Sequence, residues 1–384
     1  MNIVIIGTAY PLRGGIAHYV GLLYKYLSRR HDVTVVTFKR QYPKLLFPGK
    51  SQEETGDPGI PLESHLWIDS INPWTWLTTG LRVRRMKPDL VIYKFWLPFF
   101  APAYGVIAAI AKWRRATRTL FICDNIIPHE RRPGDRLFTR FAMRFVDLYL
   151  VQSRSVESDL LSLKPGAKYV LQPHPVYEIF GEELEREIAR ERLNETHPEL
   201  DLSPGENIVL FFGYVRDYKG LDVLLDALPF LLEQREVRVL VVGEFYSDEK
   251  KYREQVERLG IGSHVYFHSS YVPNDEVSLF FSAADVVALP YHSATQSGIV
   301  QIAYNFNRPV VATDVGGLAE VVIHGRTGYI VAPHDPKAFA QALTRFFTED
   351  RFVEFRKNVL EEKKKYTWDS MVEAIESLAA DSHD

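Results

Sequence analysis

The chain has 384 residues, of which 46% are hydrophobic and 25% charged, the profile of a soluble globular protein with room for two or three domains. A single cysteine, Cys123 in the apolar run "TLFIC", excludes an intrachain disulfide and suits a buried core thiol; no Cys/His spacing of zinc type is present. The net charge of −3 hides an asymmetry, because residues 1–170 hold 25 of the 46 Lys+Arg but 13 of the 49 Asp+Glu, making the first part +12 and the remainder −15.

The opening "MNIVIIG" carries no signal peptide, so the cytoplasm is the expected compartment. "NIVIIG" predicts a first buried strand. It is followed by "GTAYPLRGG" and not by G-x-G-x-x-G opening a helix, which argues against a dinucleotide oxidoreductase. Gly14 and Gly15 close that turn ahead of the helical stretch "IAHYVGLLYKYL", which carries His18. Paired glycines let a backbone come close to a ligand, although a plain strand-to-helix turn needs them too. Further strands are predicted at "DVTVVTF", "DLVIYKF", "TLFIC" and "DLYLVQS". Phe95–Ala111 is uncharged but short for a bilayer span and interrupted by Pro98 and Pro102, so a buried or partly membrane-facing helix is expected there.

"CDNIIPHE" places Asp124, His129 and Glu130 just beyond the strand "TLFIC". The next segment, "RRPGDRLFTRFAMRF", repeats arginine at 132, 136, 140 and 144 among Leu137, Phe138, Phe141 and Phe145. A helix from about 134 puts most of these arginines on one stripe. With Trp74, Trp76, Arg84, Arg85, Trp113, Arg114 and Arg115 in the same half, a peripheral contact with anionic lipid is expected. A solvated helix face over a packed one is the competing reading. No motif for nucleic-acid binding occurs.

After "LQPHPVYEIF", a hinge, and a polar helix plus loop over 181–206, six more strands are predicted: "NIVLFFG", "VRVLVVG", "HVYFH", "DVVALP", "PVVATD" and "GYIV". Continuous apolar strands alternating with helices mean parallel sheets covered on both faces. Two such series predict two Rossmann-like α/β domains, 1–175 and 176–365, with 366–384 a last helix returning to the first domain. In open parallel sheets ligands bind beyond the carboxyl ends of the strands, which puts the expected site in a cleft between the two domains. In the second domain Gly213 ends a strand, Arg216 and Lys219 follow, and Gly220 leads into a helix. Two cations three residues apart at a strand's carboxyl end suit a pyrophosphate. Ser297 and Gly298 in the uncharged "ATQSGIVQI" suit a helix start whose N–H groups hold a phosphate.

Taken in order, "PLRGG", "GYVRDYKGLDVLLDAL", "VVGE", "YVPNDEVSLFFSAADVVALPY" and "NRPVVATDVGGLAEVVIHGRTGYIV" resemble the family 4 glycosyltransferases of GT-B fold over nearly the whole chain. The resemblance implies a nucleotide-sugar donor held mainly by the second domain, an acceptor on the first, retention at the anomeric carbon, and no required metal or other cofactor. It implies that Arg216 and Lys219 neutralise the donor pyrophosphate and that Gly14 and Gly15 approach its distal phosphate. Ser297, Gly298 and Ile299 would cradle phosphate, Tyr271 and Val272 would flank the nucleobase, and Glu244 would line the donor site. His18, His129 and Glu130 would face the acceptor.

The pattern breaks in two places. The two glutamates the family usually carries eight positions apart fall on Ala294 and Ile302. Gln296, Gln301 or Asn305 is expected to hold sugar and ribose instead, since an amide both donates and accepts; satisfying local backbone is the alternative role for these amides. The histidine the family often carries near the transferring sugar is Asp124, expected to act as an acid/base, to contact a sugar hydroxyl, or merely to cap its turn. The resulting expectation is a retaining hexosyltransferase that builds a lipid-linked or cell-surface glycan precursor, cytoplasmic or peripheral at the inner face of the membrane. A nucleotide-sugar epimerase on the same fold and a nucleotide-sugar-binding protein that has lost transfer are the alternatives.

Overall fold

The computed structural model describes residues 1–43, 51–54, 59–114, 116–128 and 133–380. The chain forms two compact units, Met1–Pro175 with Tyr366–Asp384, and Val176–Lys365. Each is a parallel sheet between helices, a Rossmann-like domain.

The first unit holds seven strands: β1 (Asn2–Ile6), β2 (Asp32–Arg40), β3 (Ser64–Asp69), β4 (Leu90–Phe95), β5 (Arg118–Cys123), β6 (Leu148–Val151) and β7 (Lys168–Leu171), with helices α1 (Gly15–Leu27), α2 (Pro73–Met86), α3 (Ala101–Lys112), α4 (Asp135–Met143) and α5 (Arg154–Leu163). The order is β3-β2-β1-β4-β5-β6-β7, every pairing parallel. The second unit holds helix α6 (Arg186–Thr196), then β8 (Ile208–Phe212), β9 (Arg238–Val242), β10 (Val265–His268), β11 (Val286–Leu289), β12 (Val310–Thr313) and β13 (Gly328–Val331) in the order β10-β9-β8-β11-β12-β13, again all parallel. Its other helices are α7 (Leu221–Leu232), α8 (Glu249–Leu259), α9 (Asn274–Ala283), α10 (Gly298–Asn305), α11 (Leu318–Val321), α12 (Pro336–Thr348) and α13 (Phe352–Glu362). The strand order reverses between β1 and β4 in one sheet and between β8 and β11 in the other, and these two points are where loops part to leave room for a ligand.

The sequence signals located all six strands of the second unit. In the first they missed the edge strands β3 and β7. "SHLWID" lacks a continuous apolar run because an edge strand faces solvent, and "KYVL" is four residues with no fully buried position. The run from Phe95 is not one helix: Phe95 ends β4, Pro98–Phe100 makes a 3-10 turn, and the α-helix begins at Ala101 with Pro102 in its first turn. Proline fits there because its missing N–H would have no partner in that turn. Cys123 is a buried thiol on β5, and burial pushes its pKa well up.

The last helix, α14 (Trp368–Ala380), belongs to the first unit. Trp368, 1% exposed, meets Tyr19 edge-on at 5.0 Å and stacks on Tyr26 at 6.0 Å. Tyr19 Oη donates to Met371 Sδ at 3.7 Å, and Glu376 accepts from Arg30 and from His31. Trp368→Ala should therefore cost about 3–5 kcal/mol, the usual cost of emptying a buried tryptophan site. Urea unfolding followed by circular dichroism measures it; an unchanged midpoint would mean that α14 does not stabilise the first unit.

Candidate functional site

In the second unit the strand reversal separates two loops. One leaves β8 as Gly213–Gly220, the other leaves β11 as Pro290–Ser297. They touch: a methyl on Gly220 would lie 2.0 Å from Pro290 O, and Gly220 takes φ 65°, so only glycine fits. A 3-10 turn over Asp217–Lys219 turns the Lys219 side chain inward. Lys219 is 8% exposed. Its ammonium lies 5.9 Å from the Tyr291 ring and, with Ile299, is 3.1 Å from where a Gly213 methyl would sit. Among the described residues it makes no ion pair and no hydrogen bond. Burial, and secondarily the nearby positive Arg216, bring its pKa down to about 7. Asp217 does not compensate it, being bonded to Lys251 and Tyr252 instead.

Arg216 is half-buried, its guanidinium 5.1 Å over the Tyr246 ring, and it too has no carboxylate partner among the described residues. Tyr246 stacks on Tyr214 at 4.5 Å and Tyr214 on Tyr271 at 6.4 Å, each pair inclined by 28°. These rings make a half-buried ladder beside buried Val272. Glu244 is buried after β9, and its main-chain carbonyl accepts from Val215 N at 2.9 Å. Tyr214 and Tyr246 were not singled out in the sequence, where an isolated tyrosine reads as core.

Helix α10 starts at the second loop. Ser297 is its N-cap, its hydroxyl accepting from Ile299 N at 3.2 Å and lying 3.2 Å from Tyr291 Oη. Asn, Asp and Ser cap well because the side-chain oxygen satisfies an N–H that has no partner in the first turn. Gly298 packs against Tyr177, a methyl there lying 3.2 Å from the ring. Gln296 is half-buried. Gln301 is 1% exposed, and its Oε1 accepts no hydrogen bond among the described residues. Ala294 and Ile302 are both buried. Asn305 lies one turn beyond Gln301, its main-chain carbonyl bonded to Lys363 at 3.1 Å.

The first unit shows the opposite treatment of a buried cation. Lys94, near the end of β4, is wholly buried. It donates to Asp124 Oδ1 at 2.6 Å and Gln152 Oε1 at 3.3 Å, and its ammonium sits 3.4 Å from the Tyr19 ring centre. Gln152 Nε2 donates to Tyr19 Oη at 3.0 Å, and His174 packs edge-on against Tyr19 at 4.9 Å. Burial lowers the Lys94 pKa, and the Asp124 carboxylate opposes this without cancelling it. Burial, then the positive Lys94, bring His174 down to about 3, so it is a neutral packing group. Asp124, expected as an acid/base, a sugar contact or a cap, is the counterion of a buried lysine. The clue was a lysine inside the apolar strand "DLVIYKF".

Gly14 caps α1 at φ 103° and Gly15, at its first position, is exposed. His18 lines a small cavity with Tyr10, Leu12, Glu54 and Ile60; burial lowers its pKa to about 4, Glu54 pulling the other way. His129 and Glu130 lie outside the described residues. Among the described residues no cluster of three or more His, Cys, Asp or Glu could hold a metal ion.

Two parallel-sheet domains, one with unneutralised cations beside a capped helix start, define a class that comparison with known proteins makes specific. Residues 14–174 match the family described as "Glycosyl transferase 4-like domain" and residues 206–349 the family "Glycosyl transferases group 1". The chain belongs to these GT-B family 4 glycosyltransferases. It is 29% identical over 246 residues to D-inositol 3-phosphate glycosyltransferase of Corynebacterium diphtheriae, covering 62% of this chain and 56% of that one. It is 33% identical over 181 residues to that of Corynebacterium urealyticum, covering 44% and 42%. The chain thus spans about half the length of the curated relatives it matches. Among solved structures it resembles sucrose-phosphate synthase of Thermosynechococcus elongatus (TM-score 0.75, 19% identity, 99% of this chain and 100% of that one). It also resembles Anabaena HepE in complex with UDP-glucose (TM-score 0.71, 19% identity, 99% and 100%).

Removing one member of a buried pair leaves the other charged and uncompensated. Lys94→Met should cost about 3–5 kcal/mol of stability. Adding Asp124→Asn should recover most of the loss. A double-mutant cycle by denaturant unfolding measures the coupling, and additive losses would show that Lys94 and Asp124 do not act as a pair.

Proposed function

We propose that the protein is a retaining glycosyltransferase that moves a sugar from a nucleoside-diphosphate donor to an acceptor hydroxyl, with no additional cofactor. One observation carries this reading: Lys219 is a buried ammonium with no counter-charge among the described residues, and Arg216 is close enough to depress its pKa. Leaving a cation unpaired costs stability, so such a pair marks a place that receives an anion. As the bond to the anomeric carbon breaks, charge grows on the departing diphosphate. Preorganised cations act most strongly on such charge in a site already withdrawn from water. The Ser297-capped start of α10, whose Ile299 side chain shares with the Lys219 ammonium the space beside Gly213, adds main-chain N–H groups. In the retaining reaction the acceptor hydroxyl enters on the face the diphosphate leaves.

The other roles follow from the environments. The tyrosine ladder beside Val272 offers stacking to a nucleobase, with UDP the first nucleotide to test given the HepE complex. Gln301 takes over recognition of ribose or sugar hydroxyls, its buried Oε1 accepting no hydrogen bond among the described residues and so being open to a donor. Asp124, whose Oδ1 accepts from Lys94, offers its other oxygen as an acceptor to a sugar hydroxyl. The positive surplus of the first unit and the inositol 3-phosphate named for the relatives both favour an acceptor that carries phosphate.

Four measurements test this. Lys219→Ala should lower kcat/KM by roughly 10²–10³, the scale of one lost transition-state contact. Near-normal turnover in the folded variant would remove the assignment, and NMR of the first-formed anomer decides retention. Because Lys219 binds an anion only when protonated and its pKa is about 7, diphosphate affinity should fall as pH rises through 7 towards 9. Calorimetry should record proton uptake on binding in that range, and an affinity flat with pH would contradict it. Gln301→Leu should leave unliganded stability equal or higher, since it removes an unsatisfied buried group. It should weaken the nucleotide-sugar by about 1–3 kcal/mol. Unchanged donor affinity would place hydroxyl recognition elsewhere. Ala294 and Ile302 also favour a second reading, a binding protein without transfer; donor binding with no turnover on any acceptor would establish it.

A further inference from the structure

We propose that the outer face of the helical layer α2–α3–α4 is a docking surface for an anionic lipid bilayer. The layer is tightly built. A methyl on Gly80 of α2 would lie 2.9 Å from Ile110 Cβ of α3, and one on Gly105 of α3 would lie 2.6 Å from the Phe141 ring of α4. Small residues at both contacts let the three helices lie flank to flank, so the residues they turn outward share one surface.

The start of α2 fixes what it shows. Asn72 caps it, accepting from Trp74 N at 3.1 Å, and Pro73 takes the first position. Thr79, Gly80 and Val83 then face the core. At 3.6 residues per turn the opposite side carries Trp74, Leu77, Leu81, Arg82 and Arg85. Trp74 is 75% exposed, and the whole helix contains no acidic residue. Beyond the end of α3, Trp113 is 60% exposed with the Arg84 guanidinium 5.4 Å from its ring. On α4 the pattern recurs: Leu137, 69% exposed, is followed by Arg140 one turn on and by Arg144 at the helix end, both exposed. The arginine stripe expected from the sequence is therefore one edge of a larger surface whose centre of apolar exposure is α2.

Large apolar side chains set among arginines, with almost no carboxylates, fit a headgroup boundary. The aromatic and aliphatic groups enter the acyl edge while the guanidinium groups meet phosphate. α2 carries no acidic residue and α4 carries Asp135 alone, so the two helices together present a strong positive excess, which a protein partner would not require. Among the described residues no helix is long and apolar enough to cross a membrane, so the surface lies on the bilayer.

The test uses the whole chain with liposomes of phosphatidylcholine alone or with 30% phosphatidylglycerol, read by co-sedimentation and by tryptophan quenching with brominated lipid. The wild type should bind only the anionic liposomes, and less as salt rises, since the Debye length falls from about 10 Å at 0.1 M to about 3 Å at 1 M. Trp74→Ser with Leu81→Ser should lose most of the binding. Arg82→Gln with Arg85→Gln, or Arg140→Gln with Arg144→Gln, should weaken it about five-fold per arginine. A thermal shift with UDP, which reads the second unit, should persist in every variant and shows separately whether the donor reading holds. Absence of wild-type binding to anionic liposomes at low salt, or binding insensitive to all these changes, overturns the proposal. So does a shift from dimer to monomer on Trp74→Ser with lipid binding intact, which would make the face a contact between copies of the chain.

Discussion

A parallel strand cannot return to its neighbour within the sheet; each must cross over through a helix that covers one face. In both units of this protein every strand is parallel, so both faces are sealed and the sheet opens only at its ends. The candidate chemistry collects there. Lys94 is the penultimate residue of β4, Asp124 follows β5, Gln152 follows β6 and Glu244 follows β9. The loops after β8 and β11 carry Arg216, Lys219 and Ser297. The crossing direction reverses between β8 and β11, and there the neighbouring helices diverge and leave the two loops facing each other.

Against that frame the buried cations divide into two kinds. Lys94 has a carboxylate, an amide oxygen and an aromatic face around it. Arg308 is equally buried and is met by Glu183, by Phe281 O at 2.7 Å and by Ser282 O at 2.8 Å. Arg190 is held by Asp285 and Ala283 O. These groups are satisfied within the fold and knit segments distant in sequence. Lys219 is buried without such a set among the described residues. Among the described residues the other deep cations are neutralised and this one is not, which is the contrast on which the proposed anion site rests.

The same physics explains the outer surface of the first unit. Its sheet needs helices on its face, and the close contacts at Gly80 and Gly105 give a flat three-helix layer. Core packing sets one side of each helix and leaves the other side free. On α2 and α4 that free side is filled with tryptophan, leucine and arginine. Nothing in the packing of the unit demands it.

The alternation of apolar runs and amphipathic stretches determined the two Rossmann-like units by itself, because a continuous apolar strand can only be covered on both faces. The turn residues did the same for the helix start at Ser297 and the tight loop at Gly220, where local hydrogen bonding and φ leave little choice. The edge strands β3 and β7 escaped because half-exposed strands lack that pattern, and α3 was overextended because prolines at its start resemble interruptions. Only the tertiary structure decided which charges are compensated. In the sequence Lys94 lies near the end of a strand motif and Lys219 in the loop after one, and neither position says whether its charge is compensated. Whether a carboxylate lies beside the ammonium depends on residues 30 positions away brought together by strand order, and that order is set by long-range packing.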